Sequence, residues 1–362
     1  MIGRGRPITI VGTGEFATRL CRALAAAPPR YAGTVQVVGR TEQAAATLCA
    51  SAQREAGGSA TLRFEARRMD FGPYADFRGL LAELRPHTVV VCASAQSPAE
   101  FQHTDNGWSR LVRAAGFAVT LPLQAALAAR ISAACADVGA DADQPITMVN
   151  ACFPDGVNPT LRARGLPVLC GVGNVGSLAT AAAAALDLAD PGRLKLLAHH
   201  AHLYEPADPG LEARCWLDDQ PYEPVAELLR PIRSGPRSVL NGLGATATAA
   251  VVRALADGGR WVGHLPGPAG LPGGFPAQLD DGALSLRLPA GTSLDSALAW
   301  TDRVSTLDGA SVGVDGTVRF TDQALEMLRR HLSDVPADLA PQALPELFRR
   351  LLELRDRLRR QA

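Results

Sequence analysis

The sequence predicts an α/β protein: a doubly wound parallel sheet in the N-terminal half, followed by a C-terminal α+β lobe. Three observations predict it. Short apolar, β-branched runs alternate with helical periodicity through the first 150 residues. A glycine-rich turn, Gly12-Thr13-Gly14-Glu15-Phe16-Ala17, stands between the first such run and the first helical stretch. After Asn150 the alternation gives way to passages rich in proline and glycine. With 362 residues, against a prior of roughly 150 per domain, the chain is expected to divide into residues 1–170 and 171–362, the change of pattern falling near 150–175.

In order along the chain, residues 8–11 are a candidate strand and 16–26 a helix closed by Pro28 and Pro29. Residues 35–38 form a second strand, about 41–56 a helix, and a third strand centres on 62–64. The β-branched run at 87–92 has no polar face, as expected of a strand buried on both sides. Residues 121–138 read as a helix and 146–149 as the next strand. Pro154, Asp155, Gly156, Asn158 and Pro159 read as a turn-rich passage. Then come a short apolar run at 167–172, a helix through 179–185, a histidine-rich strand at 196–204, and a loop-prone stretch at 206–221. A helix fits 245–256, and the prolines and glycines of 263–274 make that stretch a loop or linker. Alternation at 283–288 and at 312–320, around the Asp315-Gly316 turn signal, predicts strands. The tail at 343–359 is an Arg/Glu/Leu amphipathic helix, most simply a docking helix with a solvated charged face, and together with the resemblance given below it favours a homodimer over a monomer.

The charge balance excludes several function classes. Thirty-six basic side chains cancel 36 acidic ones, so no net field favours nucleic acid or an anionic membrane. Lys195 is the only lysine, and no Gly-Lys-Ser/Thr follows a glycine-rich loop, so a P-loop is excluded. Seven cysteines, odd in number, widely spaced and without a C-x-x-C pair, suit a reducing compartment with no disulfide framework or structural zinc. Residues 1–7 lack a signal peptide's apolar stretch, and Arg130 and Asp187 interrupt the alanine-rich segments. The expectation is a soluble cytoplasmic protein acting on a small molecule.

The glycine turn carries the most specific chemistry. Gly12 permits the sharp turn, Gly14 the close approach of a pyrophosphate, and the small Ala17 lets the helix pack on the strand. The N–H groups at Thr13, Glu15 and Phe16 then face the phosphates. This Rossmann-type arrangement implies a dinucleotide cofactor. At the end of the second strand, where an acidic residue would bind a ribose 2′-hydroxyl, stand Arg40 and Thr41, which favour NADP while leaving NAD open. Asp70 remains a ribose candidate, and a solvated Arg40 is the bland alternative. Ala93 and Ser94, at a strand's carboxyl end, are small enough to line the cofactor. Asn150 has two open roles: orienting a nicotinamide, or closing a turn. Of His199, His200 and His202, at least one is expected to serve as a proton carrier or in a metal pair, since the imidazole titrates near neutrality. On a strand, His200 and His202 would share a face.

Taken in order, these features resemble the lactate/malate dehydrogenase superfamily, which also contains the family 4 glycosidases. The resemblance spans roughly residues 7–205. It rests on the Gly12–Ala17 turn, on Val149-Asn150-Ala151-Cys152-Phe153-Pro154-Asp155, and on Leu197-Ala198-His199-His200-Ala201. It implies that His200 exchanges a proton with the substrate oxygen while hydride passes to or from a nicotinamide, with Asn150 on the nicotinamide side. The sequence departs from the pattern in two places. Residues 171–177 offer no carboxylate to hold the histidine, Asn174 being the nearest polar residue, and residues 94–108 carry no arginine to clamp a substrate carboxylate. The glycosidase alternative implies a metal held by His200 with Cys152 or Cys170; a catalytically silent dinucleotide-binding protein is the third reading. Trp216, His264, Phe275 and Arg319 are further pocket candidates, each weighed against an ordinary packing role.

Overall fold

The computed structural model describes residues 5–26, 32–57, 62–98 and 100–361. In chain order the first elements are β1 (Ile8–Val11), α1 (Glu15–Ala26), β2 (Gly33–Gly39), α2 (Glu42–Glu55), β3 (Leu62–Arg68), α3 (Tyr74–Leu84) and β4 (Thr88–Val91). They are followed by α4 (Glu100–His103), α5 (Gly107–Ala115), α6 (Leu121–Asp141), β5 (Thr147–Asn150), α7 (Pro154–Ala163) and β6 (Cys170–Gly171). The six strands form one parallel sheet in the order β3-β2-β1-β4-β5-β6, which reverses direction between β1 and β4. That reversal opens a crevice at the strands' carboxyl ends, where ligands of such sheets bind. Both faces are covered: Val89 and Val91 of β4 pack with α5 and α6, while Val90 packs on the opposite side with Ile8, Ile10 and Val35. The helix stop expected at Pro28 and Pro29 lies outside the described residues.

The remaining elements are α8 (Asn174–Ala185), β7 (Leu194–Leu197), β8 (Arg214–Leu217), β9 (Gln220–Pro221), α9 (Val225–Ser234), α10 (Arg237–Asp257), β10 (Trp261–Pro266), β11 (Gly274–Asp280) and β12 (Ala283–Leu286). The chain ends with α11 (Leu294–Ser305), β13 (Ala310–Val312), β14 (Val318–Phe320), α12 (Asp322–Arg329), β15 (Asp338–Leu339) and α13 (Leu344–Leu358). Three small antiparallel sheets, β7-β8-β9, β10-β11-β12 and β13-β14-β15, make up the C-terminal α+β part. The apolar clusters cross residue 170. Val312, Phe320, Leu351 and Leu354 share one core with α5 and α6, and α10 packs through Val252 and Leu255 on the other face of the parallel sheet.

Four local expectations are corrected. Residues 154–163 are a buried helix and not a turn-rich loop. Pro154 occupies its first position, where no amide hydrogen is needed. Pro159 cannot donate to the Asp155 carbonyl, and the Gly273 amide, 3.4 Å away, takes that place. Residues 263–274 are a loop only over 267–273: 263–266 end β10 and Gly274 begins β11, and the register pairs Pro266 with Gly274. The stretch 206–221 contains β8 and β9. The two longest apolar helical stretches, residues 117–141 and 237–257, have the length to cross a membrane, yet 78% and 56% of their most apolar windows are buried inside the protein.

The fourth correction concerns the histidines. Strand β7 stops at Leu197, Ala198 makes a single bridge to Gly274, and His200–Leu203 form one tight 3-10 turn. The histidines bend the chain themselves: His199 Nδ1 accepts from the Ala201 amide at 3.2 Å, and His202 Nδ1 from the His199 amide at 2.9 Å. His200 and His202 therefore do not share a strand face.

Candidate functional site

The candidate site residues follow the carboxyl ends of β1, β4 and β5. At one end lies the glycine turn. Gly12 has φ +127°, which favours glycine, and a Cβ there would press on the Cys92 backbone at 3.0 Å. A Cβ on Gly14 would meet nothing within 4 Å, so no protein atom requires glycine at that position. Space for a ligand's backbone is what such a glycine provides. Ala17 is fully buried. With the first amides of α1 unpartnered within the helix, this cradle fits a dinucleotide's pyrophosphate. Glu15 opens α1 and pairs with Arg19 at 2.9 Å along the exposed side.

Around it, Thr41 caps α2 by accepting from the Ala44 amide at 3.3 Å, so its hydroxyl is committed to the helix. Arg40 is exposed, and the β2–β3 register puts Arg68 opposite Gly39, beside it. Asp70 is exposed and sits 3.6 Å from Arg68. Ser94 donates to the Gln96 carbonyl at 2.6 Å, shaping the turn after β4. Asn150 is fully buried and its amide is spent locally: Nδ2 donates to Asn158 Oδ1 at 2.9 Å and to the Cys152 carbonyl, while Oδ1 accepts from the Cys152 amide. This is the turn-closing role of the two weighed for it.

At the other end is His200. Its Nδ1 donates to Asp308 Oδ2 at 2.8 Å, a residue 108 positions along the chain on the turn preceding β13. Its backbone amide donates to Asp155 Oδ1 at 3.1 Å, and Asp155 Oδ2 accepts from Asn174 Nδ2 at 2.6 Å. The carboxylate missing from residues 171–177 is thus supplied twice, by Asp308 to the ring and by Asp155 to the backbone. Nε2 has no hydrogen-bond partner among the described residues. Burial opposes protonation of His200, but the Asp308 charge, its hydrogen bond and the Asp155 charge outweigh burial and raise the imidazole above its ordinary value. For Asp308, burial is likewise outweighed, by His200, His199 and His202, and its carboxyl is held below the usual range.

Two glycines make this geometry possible. Gly116 (φ +96°) and Gly309 (φ +93°) face one another, and a Cβ on either would run into the other's segment, the Asp308 carbonyl or the Ala115 carbonyl. Their close approach brings Asp308 and Phe117 to the same imidazole. Phe117 stacks on the His200 ring at 4.6 Å, and Phe153 meets it edge-on at 5.2 Å. Phe153 holds φ +45°, a left-handed conformation that costs a non-glycine residue about 1–3 kcal/mol and is typical of functional turns. The glycine turn and the His200 surroundings approach one another through Phe16, whose ring lies 3.8 Å from a Cβ placed on Gly173, the residue before Asn174.

His202 and His264 are bonded to the main chain. His202 donates from Nε2 to the Leu211 carbonyl and stacks on Trp300 at 5.6 Å; burial brings its pKa down to about 4. His264 accepts from the Leu196 amide, and burial lowers it to about 3. Phe275 is core, Trp216 lies on β8, and Arg319 pairs with Asp315. Burial pushes the Cys152 and Cys170 thiols up to about 12, away from the thiolate a metal needs. Among the described residues no group of three or more His, Cys, Asp or Glu side chains is arranged to hold a metal ion.

Asp308 and Asp155 were missed as site residues by sequence reasoning. The only sequence signal for Asp308 is an acidic residue before a glycine, Asp308-Gly309, which reads as an ordinary turn.

No family model matches the chain, and no curated protein matches its sequence. Solved structures do match its fold. A lactate dehydrogenase from a Medee basin deep-sea metagenome library superposes with TM-score 0.55 at 10% identity, covering 84% of this chain and 97% of that one. A lactate dehydrogenase of Cryptosporidium parvum, solved with lactic acid and β-nicotinamide adenine dinucleotide, matches at 0.52 and 14%, covering 84% and 98%. A malate dehydrogenase of Plasmodium falciparum, solved with NADH, matches at 0.51 and 9%, covering 83% and 96%. The chain therefore has the Rossmann-type fold of the lactate and malate dehydrogenases, in a widely diverged sequence.

Proposed function

We propose that the protein is a nicotinamide-dinucleotide-dependent oxidoreductase that interconverts a small carbonyl or imine with the corresponding alcohol or amine, with His200 as the acid/base. The observation that carries this reading is the His200–Asp308 hydrogen bond at 2.8 Å, with Nε2 left unpartnered, beside the turn that follows β5, on a sheet whose β1 leads into the glycine turn. A nicotinamide dinucleotide held here would supply or accept the hydride. Gly12, Thr13, Gly14, Glu15, Phe16 and Ala17 form its pyrophosphate cradle, and Ala93 and Ser94 line it. Exposed Arg40, with Arg68 alongside, favours a 2′-phosphate and hence NADP over NAD.

When the substrate carbon gains hydride, its oxygen or nitrogen must gain a proton, which His200 Nε2 gives; in the reverse direction Nε2 takes it back. Asp308 holds the ring in the tautomer with hydrogen on Nδ1 and stabilises the imidazolium. Asp155 fixes the His200 backbone, and Phe117 keeps water from one face of the ring. Asn150 positions the turn that carries Phe153.

The test is a titration of the protein with NADPH and with NADH, following nicotinamide fluorescence, for wild type and Arg40→Ala. The expected result is binding of both, tighter for NADPH, with Arg40→Ala losing roughly tenfold or more for NADPH alone, as a charge-assisted contact implies. Binding of neither would overturn the reading.

A further inference from the structure

The segment between β4 and α5 is held from outside the parallel sheet. Its first half is anchored on the start of α6: the Ala95 amide donates to the Leu123 carbonyl at 3.1 Å, and Gln124 Nε2 to the Gln96 carbonyl at 3.2 Å. Gln96 is fully buried, and its side chain joins the two halves. Its Oε1 accepts from Trp108 Nε1 at 2.9 Å, and its Nε2 donates to Glu100 Oε2 at 2.7 Å. Residues 94–108 contain no arginine of their own. Two arginines reach this segment from α13, far along the chain. Arg355 Nη1 donates to the Ala95 carbonyl, and Arg359 is bidentate to Glu100, at 2.7 Å to Oε1 and 2.5 Å to Oε2.

The end of α13 also approaches by its backbone. The Gly107 amide donates to the Gln361 carbonyl at 3.1 Å, and a Cβ on Gly107 would stand 3.0 Å from the Leu358 carbonyl. The Glu100 side chain is only 12% exposed; burial alone would raise its pKa, but Arg359 and Gln96 outweigh burial and hold the carboxyl below the usual range. Without Arg359 a charged carboxylate would stay buried beside a single side-chain amide, which is strongly unfavourable. Next to Glu100 in the chain is Phe101, whose ring meets Phe117 edge-on at 6.0 Å, and Phe117 stacks on the His200 imidazole at 4.6 Å. A continuous run of contacts thus leads from the end of α13 to the histidine.

We propose that Arg359 is a positioning residue: its ion pair with Glu100 fixes the segment after β4 and, through Phe101, holds the Phe117 ring against His200. The bearing on catalysis rests on the oxidoreductase reading, whereas the contacts themselves need no dinucleotide. Neighbouring contacts amount to coupling only where an element has two arrangements. The single turn α4 is that element. Paired with Arg359 it stays against Gln96 and Phe117; unpaired, its carboxylate moves out to water and takes Phe101 with it.

The test is an NMR measurement of the nuclear Overhauser contact between the Phe117 and His200 rings, on the full chain without dinucleotide and with both residue types ring-labelled. Phe117→Leu identifies the cross-peak by deleting it. Arg359→Met keeps the aliphatic stem and removes the charge. It is expected to weaken the contact at least about twofold, as a ring drifting from 4.6 Å toward the ~7 Å limit of aromatic contact requires. Arg359→Lys is expected to restore part of the loss. Glu100→Gln breaks the pair from its other side, acts in the same direction, and gives the answer if Arg359→Met does not fold. Under the oxidoreductase reading Arg359→Met also lowers kcat roughly tenfold, with dinucleotide affinity unchanged. A Phe117–His200 contact unchanged in Arg359→Met, or in Glu100→Gln where the former does not fold, overturns the inference, as does a loss that Arg359→Lys leaves unrepaired. If no dinucleotide binds while the contact still depends on Arg359, the redox reading fails and the positioning role stands.

Discussion

At one end of the candidate site six consecutive residues, Gly12 to Ala17, make the whole turn; at the other, His200, Asp308, Asp155 and Phe117 arrive from four separate segments. The glycines differ accordingly. A Cβ on Gly14 would meet no protein atom within 4 Å, whereas Gly116 and Gly309 face each other's backbones and are required by the protein's own packing. The first end depends on local conformation, the second on close packing between distant parts of the chain. A substitution should therefore damage ligand binding at one end and stability or proton transfer at the other.

The largest expected effect is at His200. His200→Ala should lower turnover by roughly 10²–10⁴-fold, the range for removing a general acid/base, with dinucleotide affinity retained. A steady-state assay with a dinucleotide titration checks both halves, and equal loss of binding and turnover would erase the distinction between the two ends.

Next in size is the glycine pair. Gly309→Ala should cost about 2–4 kcal/mol in urea unfolding, because a side chain there meets the Ala115 carbonyl and adopts a positive φ. Gly14→Ala should change stability by less than about 0.5 kcal/mol while weakening dinucleotide binding. Reversal of these two outcomes would mean that the glycines have exchanged roles. A smaller effect is expected at Thr41, where loss of the helix cap in Thr41→Ala should cost about 1 kcal/mol.

The same contrast explains what the sequence made legible. The parallel sheet and the glycine turn were readable because their signals are local: β-branched runs, a six-residue pattern, helix periodicity. His200 was singled out by the resemblance of Leu197-Ala198-His199-His200-Ala201 to a histidine-bearing strand, but its partner was not, because nothing near Asp308 in the chain refers to a histidine 108 residues away. Helix α7 was hidden by two prolines whose missing hydrogen bonds are tolerated at its start and replaced by Gly273 within it. The histidine turn was read as a strand because periodicity does not register that His199 and His202 cap one another's backbone. In each case the missing information is a contact between residues far apart, or a side chain bonding to the main chain.

Proton transfer should show its dependence on that contact through pH. The raised His200 pKa means that the acid form persists above the ordinary imidazole range, so carbonyl reduction should fall as pH rises through a value above 6.5. The linked stability has the same sign: the contribution of protonated His200 is present below its unfolded value and lost as pH rises through the folded one. The depressed Asp308 adds stability above its unfolded value, lost as pH falls through the folded one. In Asp308→Asn the main raising influence on His200 is gone while burial remains, so its inflection should move down.

The most direct measurement is an NMR titration of the His200 imidazole in the wild type and in Asp308→Asn. The groups that act on it are Asp308, Asp155 and Arg237. The account predicts a wild-type inflection above 6.5 and a lower one in Asp308→Asn, with proton exchange at Nε2. A wild-type inflection at or below 6.5, unmoved by the substitution, would contradict it.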